Sequence, residues 1–242
     1  MEIDILPKTE HAQTHMVFIV VPRFNIMTLI TMIETLRIAN YLAPASIYSW
    51  EVASFDGSKI IASNGMTATI KTANDNLQSA EFVFILGSWG TEHYHNKKLT
   101  AWLRKRVRAG ERICGVELGS YIVARAGLLD GKLATIHWSW LNGFKENFNR
   151  VEVEESLFTL DRKVMTCSGG LAGVDLMLRL IEEINGSSFS GEIADQMLHL
   201  PVRSAVPPQR GTMVRSTETT RPLLREVMTL IENNIEQPLT VP

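Results

Sequence analysis

Three short runs in this chain, residues 16–21 (MVFIVV), 82–86 (FVFIL) and 113–116 (ICGV), carry no polar side chain at any position. A strand that alternates apolar and polar residues needs one sheltered face, whereas a strand that is apolar throughout needs two. Such strands lie inside a sheet with helices packed on both sides. The intervening sequence can supply those helices. Ile26, Ile30, Ile33, Leu36 and Ile38 recur mostly at intervals of three or four, which predicts an amphipathic helix from Asn25 onward. Residues 99–107 predict a surface helix with Leu103 and Val107 inward and Lys105, Arg106 and Arg108 outward, and residues 171–184 and 189–198 predict two more. Further strands are read at 50–55, 66–70, 133–136, 151–154, 157–160 and 163–166. The expected fold is α/β, with three layers and a mainly parallel sheet flanked by helices.

Ligands in such sheets bind beyond the carboxyl ends of the strands. Three turns should meet there: Gly87 to Gly90 with Ser88 and Trp89, Glu117 to Gly119 with Leu118, and Ser168, Gly169 and Gly170. The middle turn is a strand, an elbow and a helix, a geometry that lifts its apex side chain into a site beside backbone N–H groups. That apex is Glu117, a carboxylate rather than a thiol or hydroxyl.

Each candidate has two readings. Glu117 either anchors a cationic or hydrogen-bond-donating ligand, or caps the next helix, where a negative charge contributes about 0.3–1 kcal/mol. Glu34, in the middle of the first helix, either lines the pocket or pairs on the surface with Arg37. His137, at a strand end, is either a neutral hydrogen-bonding wall or a structural histidine. Trp89 and Trp138 either present aromatic faces to an alkylated ammonium group or serve as core and rim. Ser168 to Gly170 offer N–H groups to an anion, or Ser168 caps the helix that follows.

With 242 residues, of which 45% are hydrophobic and 21% charged, the chain can bury a proper core. Its net charge of −2 provides no general attraction to nucleic acid. The N-terminal residues lack the basic and apolar regions of a signal peptide, and the longest apolar run is too short to span a bilayer, so a cytoplasmic protein is expected. Cys114 and Cys167 form neither a disulfide framework nor a zinc set, and Cys114 reads as plain core. No metal site or cofactor is expected. Residues 1–15 read as a flexible leader, 16–200 as the main domain, and 201–242 as a connector with an amphipathic helix at 221–235.

The motifs LGSWG, AGLLDGKLATIHW, MTCSGGLAGVDLMLRLIEE and ADQMLHLPVRSAVPPQR, with IETLRIAN on the first helix, resemble the N-terminal sensing domain of AraC-family transcriptional regulators of the class I glutamine amidotransferase-like type. The resemblance covers roughly residues 16 to 240. It implies a flavodoxin-like fold, a small-molecule effector, a homodimer, and DNA contact through a C-terminal pair of helix-turn-helix motifs beyond this sequence. Enzymes of the wider superfamily, such as PfpI-type proteases, carry a cysteine at the elbow, an acid on the first helix and a histidine after the next strand. Those positions fall on Glu117, Glu34 and His137. A carboxylate is a weak nucleophile where a thiolate is a strong one, so the departure at Glu117 favours a sensor over an enzyme. A zwitterion such as a betaine, a carnitine-like compound or an amino acid suits the predicted pocket, and some relatives of this type respond to such compounds. The rival reading is a hydrolase or amidotransferase with a non-cysteine elbow.

Overall fold

A computed structural model of the chain describes residues 13–73, 77–199 and 209. In chain order its elements are β1 (Thr14–Val20), α1 (Ile26–Leu42), β2 (Tyr48–Ser54), β3 (Lys59–Ile61), β4 (Thr67–Thr69), β5 (Lys71–Thr72), β6 (Phe82–Gly87), α2 (Lys97–Arg108), β7 (Arg112–Glu117) and α3 (Gly119–Arg125). There follow β8 (Leu133–Ala134), α4 (Leu141–Asn147), β9 (Glu152–Val153), β10 (Phe158–Thr159), β11 (Val164–Cys167), α5 (Ala172–Asn185) and α6 (Ser187–Gln196). The main sheet has seven strands in the order β10-β11-β7-β6-β1-β2-β5. Every pairing in it is parallel except the antiparallel β10–β11 edge.

Side chains in a strand alternate between the two faces, so the all-apolar runs feed two cores. Met16, Phe18, Val20, Phe82, Phe84, Leu86, Cys114 and Val116 join residues of α1 and α5 in one cluster. Val17, Ile19, Val83, Ile85 and Ile113 join α2 and α3 in the other. Phe18 and Phe84 stack across neighbouring strands with ring centroids 4.9 Å apart. Cys114 is fully buried, in keeping with its reading as core.

Several sequence expectations need correction. The stretch 66–70 does not extend the main sheet; β4 pairs with β3 in a separate antiparallel hairpin. Of the strand expected over 133–136, only β8 forms, and it pairs with β9 in a third small sheet. Helix α4 was not anticipated, because Leu141 to Asn147 is short and carries little periodic signal. Arg106 is buried rather than outward: it bonds Glu111 at 2.7 Å, donates to the carbonyls of Leu77 and Gln78, and lies over the Trp102 ring. His15 belongs to β1 rather than to a loose leader, and bonds Ser49. The leader through residue 12 and the connector, apart from Gln209, lie outside the described residues.

Candidate functional site

The parallel register aligns the strand ends. Gly87, the last residue of β6, is level with Glu117, the last residue of β7. Ser88, one step beyond, therefore stands beside the elbow, and its hydroxyl donates to Glu117 Oε1 at 2.7 Å. At the elbow itself Glu117 has φ 54°, the left-handed region that a residue with a Cβ enters only when its surroundings hold it there. Two contacts hold it. The N–H of Leu118 donates to Gly87 O at 3.1 Å, and Gly119 lets α3 start directly against β6. A Cβ at Gly119 would fall 1.8 Å from the Ile85 carbonyl oxygen. Glycine is thus required there by close approach, not only by turn geometry.

Glu117 is only 6% exposed, and its Oε2 is buried with no hydrogen-bond partner. Burial raises its pKa above the ordinary glutamate value; the Ser88 hydrogen bond and the neighbouring Asn25 oppose that rise. Asn25 is the N-cap of α1, where its Oδ1 accepts from the N–H groups of Met27 and Thr28. Its side chain favours the charged carboxylate without closing a well-formed hydrogen bond to Oε2.

The turn before α5 packs directly on this carboxylate. Gly169 has φ 86°, and a Cβ there would meet the Glu117 side chain at 2.7–3.0 Å. Ser168 donates its N–H to Leu157 O at 2.8 Å, and Gly170 donates its N–H to Thr28 Oγ1 at 2.9 Å. The expected array of free N–H groups for an anion is therefore partly used within the fold. Ser168 does not cap α5 either, whose N-cap is Leu171 without a side-chain cap bond.

These residues surround a cavity of about 400 Å³ lined by Asn25, Met27, Glu117, His137, Trp138, Leu157, Ser168, Gly169, Gly170, Leu171, Ala172 and Gln209. Six of the expected site residues meet there: Glu117, His137, Trp138, Ser168, Gly169 and Gly170. Four do not line it. Glu34 projects to the surface and pairs with Arg37 at 2.7 Å. Trp89 is 59% exposed on the loop after β6. Leu118 packs in the α2/α3 core, and Ser88 acts from behind the carboxylate.

His137 is partly buried, and burial lowers its pKa, so the ring is neutral near pH 7. Its Nδ1 accepts from the Ser139 N–H at 3.4 Å and lies 2.8 Å from the Ser139 hydroxyl. An accepting Nδ1 puts the ring proton on Nε2, which makes His137 a donor. Its ring and that of Trp138 lie 5.4 Å apart, and Trp138 is 42% exposed at the rim.

Sequence reasoning missed Asn25, Met27, Leu157, Leu171, Ala172 and Gln209 as lining residues. Asn25 carried a signal, since a cap residue fixes where α1 begins and so which side chains face the elbow. Gln209 carried none, because its contacts span more than fifty residues of chain.

A strained elbow at the end of a central strand, a buried apex side chain and a cavity shared with the turn before α5 define the architecture. The family model of the DJ-1/PfpI family matches residues 16–183. The chain belongs to the DJ-1/PfpI family. Within that family it is 33% identical over 222 residues to the HTH-type transcriptional regulator GbdR of Pseudomonas aeruginosa, an alignment covering 92% of this chain. The chain spans only 60% of that regulator's length. A crystal structure of an AraC family transcriptional regulator from Pseudomonas putida superposes with a TM-score of 0.70 at 21% identity, covering 76% of this chain and 98% of that one. This confirms the fold. The family also holds enzymes: an isonitrile hydratase of Pseudomonas putida is 23% identical over 143 residues, 59% of this chain and 62% of that enzyme. The elbow apex of this chain, position 117, is a glutamate.

Proposed function

We propose that this DJ-1/PfpI domain is the effector-sensing part of an HTH-type transcriptional regulator, and that it binds a small cationic or zwitterionic metabolite rather than transforming it. The observation that carries the reading is Glu117: a buried carboxylate with one unpartnered oxygen, lining a cavity of about 400 Å³. A buried acid without a counter-charge is costly, and a bound cation relieves that cost. The Trp138 ring at the rim suits an alkylated ammonium group. The other end of a zwitterion is served by the Nε2–H of neutral His137. Because Gly169 lies against Glu117 itself, the cationic end belongs at the elbow and the carboxylate end away from it.

Calorimetry against quaternary amines and amino acids, including glycine betaine, carnitine and arginine, tests the reading. Wild-type protein should bind at least one, and Glu117→Gln should weaken that binding by tenfold or more. Binding confined to neutral or anionic compounds would sink it. The absence of a thiol or hydroxyl nucleophile at the elbow supports a role without turnover. Amide or isonitrile turnover that is lost in Glu117→Ala would instead establish the enzyme reading.

DNA contact belongs to the portion of such regulators that this chain does not span. A regulator of this kind acts in the cytoplasm, and among the described residues no helix is long and apolar enough to cross a membrane. The reading includes a homodimer. Met27 and Ile30, about half exposed on α1, offer apolar surface for one, and light scattering gives the oligomeric state.

A further inference from the structure

Gln209 reaches the cavity from the sequence read as the connector, and it does so with a fully engaged carboxamide. Its Oε1 accepts the backbone N–H of Trp138 at 2.7 Å. Its Nε2 donates toward Ile136 O at 2.7 Å, Ser156 O at 3.0 Å and Thr135 Oγ1 at 3.1 Å. Thr135 Oγ1 gives its own proton to Ser156 O at 2.7 Å, so it can only accept from Gln209. The slot thus presents one donor and three acceptors: the amide oxygen meets the donor and its two N–H groups are shared among the three acceptors, whereas a carboxylate has no N–H to offer them. Reversing the amide would set its oxygen against three acceptors. The slot is continuous with the cavity: His137 lies between Ile136 and Trp138, and both His137 and Trp138 line the same space as Gln209.

We propose that Gln209 is anchored in the wall of the effector cavity and is itself part of the binding site. This rests on the sensing role proposed above only for what the anchor is used for. The docked amide completes one wall, so an effector that touches that wall binds the docked state better than the undocked one. It can shift the balance only by that difference, and the coupling is reciprocal. Occupancy holds the Gln209 side chain in place, and docking of that side chain strengthens occupancy. The neighbouring pair of His199 Nε2 and Asp175 Oδ1, 3.0 Å apart, ties the end of the described domain to the first turn of α5, the helix that follows the Ser168 to Gly170 wall.

Hydrogen exchange on the 242-residue chain tests the anchor without any ligand. In Gln209→Ala the Trp138 amide should exchange at least tenfold faster, with amides of β6 and β7 unchanged. Gln209→Glu should do the same, because it keeps the stem length but turns an anion toward three oxygens. Unchanged Trp138 exchange in Gln209→Ala, or full protection retained in Gln209→Glu, would overturn the anchor. Calorimetry with glycine betaine tests the coupling: Gln209→Ala should bind it fivefold or more weakly than wild type, and equal affinity would overturn the link. Wild-type silence toward betaine counts against the zwitterion reading alone, and the exchange measurement still decides the anchor.

Discussion

Strand β7 has a buried glutamate at each end, and the two are treated differently. Glu111, just before the strand, is 5% exposed; Glu117, its last residue, is 6% exposed. Glu111 is neutralised: Arg106 bonds its Oε1 at 2.7 Å, and Ser79 Oγ and Ala80 N add contacts at 3.0 and 3.3 Å. Glu117 has the Ser88 hydroxyl and no cationic side chain among its described partners. Burial alone therefore does not mark a functional acid. What separates them is the counter-charge, supplied within the fold at one end of the strand and absent among the described residues at the other.

Both acids keep a buried Oε2 without a hydrogen-bond partner, so the contrast rests on charge alone, and the largest effect should come from breaking the charge-paired end. Arg106→Ala strands the Glu111 charge and two carbonyls, and should cost about 3–5 kcal/mol of unfolding free energy in urea denaturation. A loss below about 1 kcal/mol would mean that the pair contributes little and that the contrast is false. Gly119→Ala attacks the strained end, forcing β6 and α3 apart, and should cost about 3 kcal/mol, at the upper end of overpacking. It should also abolish ligand binding, because the elbow would no longer present Glu117.

Glu117→Gln sharpens the comparison through pH. The raised pKa means that the folded state holds this proton more tightly than the unfolded chain, so the neutral form is the one that favours folding. Wild-type stability from this group is fully present below the ordinary value of 4.5 and is lost as pH rises through the higher folded pKa. The amide variant should gain on wild type across that window and then hold a constant lead, as read by denaturation at a series of pH values. A constant difference across the whole range would remove the claim. A cationic ligand should conversely bind wild type more tightly as pH rises through the same window.

The smallest effect belongs to Glu34. Its ion pair with Arg37 is exposed on both sides, so Glu34→Ala should change stability by less than about 0.5 kcal/mol and leave ligand affinity alone. A clear loss of binding would return Glu34 to the site.

The sequence by itself determined the layers and the elbow. Strands without polar side chains must be sheltered on both faces, and a run ending in Glu117 and Gly119 must turn sharply where ligands gather. It also determined that the elbow lacks a nucleophile. Only the tertiary structure decided which acid is exposed and which is left unneutralised. The helix spacing of α1 does not say which way Glu34 points, and the pattern of α2 placed Arg106 outward although Glu111 draws it in. The structure also revealed Gln209 in the cavity wall. Local periodicity reports which face of an element is buried, whereas the partner of a buried polar group is chosen by contacts between residues far apart in the chain.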